Sequence, residues 1–276
     1  MTETATPVAT ARRPTTATAA PRRPWPLLRH GFALAGRSIT KTRRNPGVLL
    51  DALIMPVIFL LMFVYLFGGA VSGSSREYLQ YVFPGVLVLT TILTGQLSTG
   101  LSIVLDMKKG VFDRFRSMPI ARSAPLLGSV LGDTVRYPLA VAVLFGLGYL
   151  LGFRVETDLA SALGAVALTI GFGFALSWLT VLVAVLLRDE NMVSTVAFLL
   201  PFPLVFGTSM AAPAETMPGW LQAWTEINPV SHAIDASRGL LLGGPVTEPV
   251  LMTLLWGGIA LVVLAPLAAW AYRRRM

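Results

Sequence analysis

Six apolar segments, separated by short polar or charged connections, dominate this chain of 276 residues. A helix needs about 20 apolar residues to cross a hydrocarbon core of about 30 Å, and each segment approaches or exceeds that length. No water is present in that core to satisfy the backbone, so such segments form helices. The sequence therefore predicts an all-α integral membrane protein with six transmembrane helices. The predicted spans are 48–67, 81–105, 127–152, 159–187, 192–209 and 250–271.

Composition excludes several other classes of protein. Hydrophobic residues make up 54% of the chain, charged residues 13%, and the mean hydropathy is +0.69, which leaves too little polar surface for a soluble globule. The net charge of +8 comes from residues at segment ends, so we expect no nucleic-acid partner. The absence of cysteine excludes thiol-based metal or redox chemistry, and His30 and His232 lie too far apart in sequence to favour a metal site.

Basic residues are distributed unevenly among the connections. Nine Lys or Arg precede the first predicted span, five lie between the second and third, and three follow the last. The opposite connections carry only Arg76, Arg154 and Arg238, against seven acidic residues. Because positive charge favours the cytoplasmic side, we expect a multi-pass membrane protein with both termini in the cytoplasm. Heavy use of Arg, Ala, Gly and Pro hints at a bacterial source, so the expected membrane is the bacterial plasma membrane. An even number of spans agrees with that orientation.

Residues 1–26, rich in Thr, Ala, Pro and Arg, are predicted to form a disordered cytoplasmic tail. Such a composition cannot bury enough apolar surface to offset the entropy of ordering. Its Arg pairs are not followed closely by an apolar stretch with a cleavage site, so they do not form an export signal. The transmembrane domain is predicted over residues 27–276.

This domain begins with a predicted amphipathic helix at about residues 27–44. At 100° per residue, Phe32 and Ile39 fall on its apolar face. The opposite face carries basic residues that include Arg37, Lys41 and Arg44. We interpret it as an interfacial helix that lies on anionic membrane lipids, because its cations would sit over the headgroups. A cytosolic helix packed on a partner is the alternative.

The connection between the second and third spans, Asp106–Leu127, is basic and is therefore predicted to be cytoplasmic. Its apolar residues recur at i, i+4 and i+7 and are Val111, Phe115 and Met118. Arg114 and Arg116 lie beside this face, and Pro119 would end the helix. Such a helix fits a groove on a soluble partner. A basic loop held against lipid is the alternative.

The region before the last span, 210–249, is neither a clean loop nor a clean span. Met217–Trp224 and Pro229–Leu242 are predicted to form two short helices. Asn228 can cap the second, while Pro229 occupies its first turn, where a missing N–H costs nothing. Non-helical backbone at membrane depth must be buried in protein or line a cavity. We therefore expect a re-entrant helix pair in the outer leaflet.

Polar side chains in and near the spans are candidates for a translocation path. The second span carries an unusual density of them for a lipid-facing helix, including Thr91, Thr94, Gln96 and Ser98. Such groups prefer the protein interior or a wet cavity, and hydrogen bonding between helices is the alternative explanation. On the outer side, candidate gating residues are Glu226, His232, Asp235 and Arg238. A solvated vestibule explains these four equally well. Asp133 and Arg136 are three apart and can pair, which we interpret as structural.

Two motifs resemble those of a known family. The stretch GVFDRFRSMPIAR at Gly110–Arg122 is similar to the cytoplasmic loop of ABC-2 type permeases, in particular the daunorubicin-resistance permease subfamily. The stretch NPVSHAIDASRGLLLGG at Asn228–Gly244 resembles the Asn-Pro helix and Arg-Gly-Leu run before their last span. Met107–Lys109 departs from the family by lacking the acidic or Arg residue often found ahead of the glycine. The resemblance covers about residues 27–276.

The resemblance implies the permease subunit of an ATP-driven exporter of a hydrophobic small molecule, such as a drug or antibiotic-like natural product. The chain has no G-x-x-x-x-G-K-S/T phosphate-binding loop, so we expect it to bind no cofactor itself. ATP and Mg would be bound by an ABC ATPase subunit, present in two copies, which makes this chain a transport subunit and not an enzyme. A second permease, the same chain or a homologue, is also implied.

The same resemblance assigns ATPase coupling to residues of the basic connection. They are Gly110, Val111, Asp113, Arg114, Phe115, Arg116 and Pro119. Export of a lipid or glycan precursor remains an alternative, because the spans offer no pocket chemistry that separates cargoes. A secondary carrier is a further alternative, although the acidic residues lie at span ends rather than within spans.

Overall fold

The computed structural model describes residues 46–71, 73–110 and 124–275. This part of the chain contains ten α-helices and no strand. The helices are α1 (Pro46–Val71), α2 (Ser75–Lys108), α3 (Ala124–Asp133), α4 (Arg136–Leu151), α5 (Leu159–Leu187), α6 (Glu190–Leu199), α7 (Pro201–Phe206), α8 (Gly219–Ile227), α9 (Pro229–Leu242) and α10 (Thr247–Arg275), with a 3₁₀ turn at Ala214–Thr216. The predicted tail and interfacial helix lie outside the described residues.

Four helices in the described ranges are long and apolar enough to cross a bilayer. They are α2, the α3–α4 pair over Leu126–Leu151, α5 and α10. Two shorter apolar stretches, Ile54–Gly69 in α1 and Glu190–Phe206 in α6 and α7, occupy the positions of the first and fifth predicted spans. The all-helical membrane architecture is thus confirmed, and the count of six spans stays a prediction.

Proline interrupts two of the predicted spans. The fifth is broken after Leu199, where Pro201 begins α7, because proline fits the first turn of a new helix but not the interior of an old one. The third is broken between Asp133 and Arg136. Pro138 lacks the N–H that a continuous helix would donate to the carbonyl of residue 134, and the turn there is closed by shorter-range bonds such as Tyr137 N to Thr134 O at 3.3 Å.

Helix α2 lies at the centre of the bundle and packs against α1, α4, α5, α6 and α9. Of its most apolar 18-residue window, 88% is buried. The larger core cluster combines its first half with α1, α4, α5 and α9 around Phe83 and Leu87. A second cluster around Trp178 and Tyr272 joins the other half of α2 to α5 and α10. Helix α10 is peripheral, with only 11% of its window buried.

Small residues set the closest approach between α2 and α5. A Cβ on Gly173 of α5 would lie 2.8 Å from the backbone oxygen of Thr91, so only glycine fits there. A Cβ on Gly171, two residues earlier on α5, would meet nothing within 4 Å. Gly173 is therefore a packing site and Gly171 an outward position, although the two glycines look alike in sequence.

The two ends of the bundle differ in their polar contacts. At one end, named here the re-entrant end, Gln80 of α2 donates to Arg154 O at 3.2 Å, and Thr157 donates to Leu240 O of α9 at 2.6 Å. At the other, named the basic end, Lys108 Nζ lies 3.2 Å from Glu190 Oε1. Asp158 caps α5 at the re-entrant end, and hydrogen bonds from Ser161 hold the pKa of its carboxyl below the ordinary value. The contacts of Gln80 and Thr157 connect the α4–α5 connection to the start of α2 and to α9.

Candidate functional site

The polar stripe predicted on the second span faces the interior of the bundle. Thr91, Thr94 and Gln96 of α2 are all buried, while the side chain of Ser98 lies outside the described residues. The Thr91 hydroxyl donates to Val88 O of its own helix at 2.9 Å. Neither amide atom of Gln96 has a hydrogen-bond partner among the described residues. Buried polar groups are normally hydrogen-bonded, so the unpaired amide of Gln96 makes it the strongest functional candidate in the stripe.

A buried ion pair joins the break between α3 and α4 to α2. Arg136 Nη2 lies 3.3 Å from Asp133 Oδ1, as predicted from their spacing, and both side chains are almost completely buried. Ser102 of α2 donates to the other carboxylate oxygen at 3.0 Å. Breaking such a pair leaves a buried charge uncompensated, so the pair fixes the geometry of the helix break.

Asn228 joins the start of α9 to the end of α7. Its side-chain oxygen accepts from Val230 N at 2.9 Å, which is the predicted cap, and Pro229 occupies the first turn. Its amide nitrogen donates to Leu204 O at 2.7 Å and to Gly207 O at 3.2 Å. One side chain therefore caps a helix and satisfies the carbonyls left free at the end of another. The two predicted short helices are present as α8 and α9, and their depth in a membrane stays a prediction.

The segment 207–213, between α7 and the 3₁₀ turn, is held by a group of side chains that we name the Ser209 cluster. Its members are Tyr81 of α2, Ser209, and Asp235 and Arg238 of α9. The backbone oxygen of Ser209 accepts from the Tyr81 hydroxyl at 2.8 Å and from Arg238 Nη2 at 3.0 Å. The Ser209 hydroxyl donates to Asp235 Oδ1 at 3.1 Å, and Arg238 Nη1 donates to the same oxygen at 2.8 Å.

Aromatic contacts reinforce the cluster. The guanidinium carbon of Arg238 lies 4.4 Å from the centre of the Tyr81 ring, a cation–π geometry. One turn away on α2, the Tyr78 hydroxyl donates to Ala211 O at 2.8 Å. The central helix thus contacts the connection between α7 and α8 at two points. If α2 moved relative to α9, these hydrogen bonds would break unless segment 207–213 moved with α2.

Comparisons with known proteins show the family. The ABC-2 type transporter family matches residues 30–242, which is most of the chain. This protein belongs to the ABC-2 type transporter family. It is 41% identical over 239 residues to a daunorubicin resistance ABC transporter permease protein of Streptomyces coeruleorubidus, covering 87% of this chain and 84% of that protein.

Two further relatives extend the comparison. A probable doxorubicin resistance ABC transporter permease protein of Mycobacterium tuberculosis is 27% identical, with 86% of each chain covered. A putative transport permease of Cyanophora paradoxa is 29% identical over 76% of this chain and 73% of its own length. The chain is therefore similar to whole permease subunits and not only to a shared segment. It is a multi-pass membrane protein of the permease type.

In this ABC-2 permease the predicted coupling residues follow the end of α2. Gly110 is described and has a φ of +64°, a left-handed conformation that glycine adopts without strain. Its N–H donates to Met107 O at 3.0 Å, so it ends the helix. The other coupling candidates lie outside the described residues: Val111, Asp113, Arg114, Phe115, Arg116 and Pro119. The interfacial-helix candidates lie outside them too: Phe32, Arg37, Ile39, Lys41 and Arg44.

Sequence reasoning identified part of the Ser209 cluster and missed the rest. Asp235 and Arg238 were candidates because they are charged residues on the predicted outer side, where they could gate release. Tyr81 and Ser209 were not predicted, because their partners lie far away in the chain. An aromatic hydroxyl at the end of an apolar span, where a polar tip needs a partner, is the pattern that would have indicated Tyr81.

Proposed function

We propose that this chain is the membrane-spanning permease subunit of an ABC exporter that removes a hydrophobic drug or antibiotic-like natural product from a bacterial cell. The observation that carries this proposal is the 41% identity, over 87% of the chain, to a permease named for daunorubicin resistance. A second relative, named for doxorubicin resistance, supports the same class of cargo. Expulsion of the compound would make the cell resistant to it.

Energy would come from a separate ABC ATPase that binds ATP and Mg, because this sequence has no phosphate-binding loop of its own. Two ATPase copies would dock under two permeases, either two copies of this chain or this chain with a homologue. The docking element would be the connection that follows Gly110, on the cytoplasmic side with both termini. Closure of the ATPase would then be transmitted through α2 and the buried Asp133–Arg136 pair as a rigid-body shift of helices.

Helix α2 is the element best placed to connect the two ends of the permease. Its basic end leads into the proposed docking connection at Gly110, and its other end holds the Ser209 cluster through Tyr81. Between them lies Gln96, fully buried and without a partner among the described residues. We place the translocation path beside this side chain, because a buried amide without a partner is satisfied when a cavity or cargo reaches it.

The test is expression in a drug-sensitive bacterium together with a candidate ABC ATPase from the same source genome. Cells are to be compared for doxorubicin accumulation, by its fluorescence, and for ATPase co-purification from membranes. The loop variant is Phe115→Asp with Arg116→Glu. The matched control is Arg273→Glu with Arg274→Glu, which changes charges at the same predicted side of the membrane.

The wild type is expected to retain the ATPase and to lower doxorubicin accumulation. The loop variant should lose both while its yield and size-exclusion profile stay unchanged, and the control should keep both. If no form binds an ATPase, the ABC proposal is wrong. If the ATPase binds but doxorubicin accumulation is unaffected, the cargo is a different one, such as a lipid or glycan precursor.

A further inference from the structure

Helix α8 exposes an aromatic face. Trp220 is 74% exposed, Trp224 41% and Ile227 66%. At about 100° per residue these three side chains fall within about 60° of one another, and we name them the Trp220 face. The inward side of the same helix carries Thr225, which is buried. A helix on the surface of a water-soluble protein has the opposite arrangement, so water is not the medium that the Trp220 face meets.

The Trp220 face continues an apolar outer surface of the bundle. A Cβ on Gly207 would lie 2.6 Å from Trp224 Nε1, so the indole ring packs against the end of α7. Phe206, the last residue of α7, is 40% exposed and belongs to the apolar stretch at the position of the fifth predicted span. Exposed apolar side chains therefore extend from α7 onto α8.

The other side of α8 is polar. Glu226 is exposed and lies about 160° around the helix from Trp224. Together with Thr225, it lines a cavity whose wall also includes Asp235 and Glu248. Helix α8 thus separates an apolar surface from an acidic one, which is the arrangement of a helix that lies in a membrane–water interface.

The chemistry and size of the Trp220 face favour lipid over a protein partner. Tryptophan combines an apolar ring with one N–H and is enriched at both interfaces of a membrane with water. A large aromatic side chain has about 150–250 Å² of surface, so the three partly exposed residues offer on the order of 400 Å². A stable protein interface buries about 800 Å² on each partner. Lipid is therefore the occupant that fits this face.

Charge identifies the kind of attachment. The segment 189–237 contains no Lys or Arg. Interfacial helices that bind anionic lipid carry cations on their polar side, whereas α8 carries Glu226 there. Its attachment to a membrane would therefore depend on the Trp220 face and not on the charge of the lipid.

We propose that α8 is an interfacial helix that lies along the membrane surface at the re-entrant end. The Trp220 face enters the boundary between headgroups and acyl chains, and Glu226 faces water. Asn228 follows α8 and donates to Leu204 O and Gly207 O, so the attached helix also fixes the depth of the junction between α7 and α9. This inference does not depend on the proposed export function or on the identity of the cargo.

The experiment measures the depth of nitroxide spin labels on the full-length permease in phosphatidylcholine nanodiscs. The chain contains no cysteine, so one introduced cysteine carries the label without background. Ile227→Cys and Glu226→Cys are a matched pair, because both positions are exposed and they are adjacent in the helix. Val262→Cys, at a position of α10 that is 74% exposed, is the reference for the bilayer interior. Collisions with O₂, which concentrates in lipid, and with a water-soluble nickel complex give the depth.

The label at position 227 is expected about 5–10 Å inside the boundary, and the label at position 226 in water. Adding Trp220→Asp should move the label at 227 into water, whereas Trp220→Phe should leave it in place. Because Trp220 is largely exposed, neither substitution should change the size-exclusion profile. Replacing part of the lipid by anionic phosphatidylglycerol should leave both depths unchanged.

Four results would overturn the inference. If both labels collide mainly with the nickel complex, α8 lies in water. If both lie as deep as the label at position 262, α8 enters the bilayer interior. If the label at 227 is immobilised and shielded from both reagents, a protein covers the Trp220 face, such as a second copy of this chain. If Trp220→Asp leaves the label at 227 at its original depth, the Trp220 face is not what holds α8 in the interface.

Discussion

Helices α2 and α10 are both long enough to cross a bilayer, but one is enclosed by the bundle and the other faces outward. In α2, 88% of the most apolar window is buried, against 11% in α10, although α10 is the more apolar by mean hydropathy. Buried positions of α2 include Thr91 and Gln96, whereas α10 exposes Leu255 and Val262. In a water-soluble protein, the more apolar helix would be the buried one.

The difference follows from the solvent. Lipid tails are as apolar as leucine, so an apolar side chain gains little by leaving lipid for the protein interior. Polar groups and close backbone contacts, by contrast, are costly in lipid and are therefore collected in the centre. In this permease, a residue is thus buried because of its polarity or its close packing and not because it is apolar. The same substitution should therefore change the free energy of unfolding more in α2 than at a peripheral position.

The largest contrast is expected between two Leu→Ala substitutions. Leu87 of α2 is fully buried, whereas Leu255 of α10 is 55% exposed. Leu87→Ala leaves a cavity that neighbours cannot fill and should lower the free energy of unfolding by about 3 kcal/mol. Leu255→Ala should lower it by less than about 0.5 kcal/mol, because lipid or detergent fills the space. Titration with sodium dodecyl sulfate measures both, and equal losses would contradict the assigned positions of the two helices.

The second contrast uses two glycines of α5. Gly173→Ala places a methyl group against the backbone of Thr91, which cannot move aside without separating α2 from α5. We expect a loss of about 2 kcal/mol in the free energy of unfolding. Gly171→Ala meets nothing within 4 Å and serves as the control, with no loss expected. Thermal unfolding followed by intrinsic fluorescence compares them, and a stable Gly173→Ala variant would argue against the close α2–α5 contact.

A third contrast concerns tyrosine hydroxyls. Tyr81→Phe removes the hydrogen bond to Ser209 O and should cost about 1 kcal/mol, because the carbonyl keeps its bond from Arg238. Tyr149→Phe, at a half-exposed position of α4, should change the free energy of unfolding by less than about 0.3 kcal/mol. Proteolysis of the folded protein is expected to become faster only in the Tyr81→Phe variant, within segment 207–213. If the two variants behaved alike, the assignment of Tyr81 to the Ser209 cluster would be wrong.

The smallest effect on stability, but not on transport, is expected at Gln96. Because its amide has no partner among the described residues, Gln96→Leu should leave the free energy of unfolding unchanged or raise it by up to about 1 kcal/mol. Export of doxorubicin by cells with the ATPase should nevertheless fall. Thr169→Val in α5, which removes a buried hydroxyl bonded within its own helix, is the control for both measurements. A variant that loses stability and keeps transport would make Gln96 a structural residue.

Much of the fold could be predicted because its determinants are local. Apolar length alone placed α5 at its observed bounds, and the Asn-Pro pair placed the start of α9. The breaks at Pro201 and before Pro138 were harder to place, because proline occurs within membrane helices such as α1 and α10 without ending them. Composition and the two motifs were sufficient to indicate the ABC-2 family, which the comparisons confirmed.

The sequence by itself determined that this chain is a helical membrane protein, because span length and turn residues act within a few residues of one another, and its two motifs indicated the permease family by resemblance. Only the tertiary structure decided that α2 is central, that Gly173 rather than Gly171 packs, and that Tyr81 and Ser209 meet Arg238. The physical reason is that these contacts join residues far apart in the chain. In lipid, hydropathy does not distinguish a buried helix from an exposed one. Which helices are neighbours in the bundle must therefore be known before residues in contact, such as Tyr81 and Arg238, can be named.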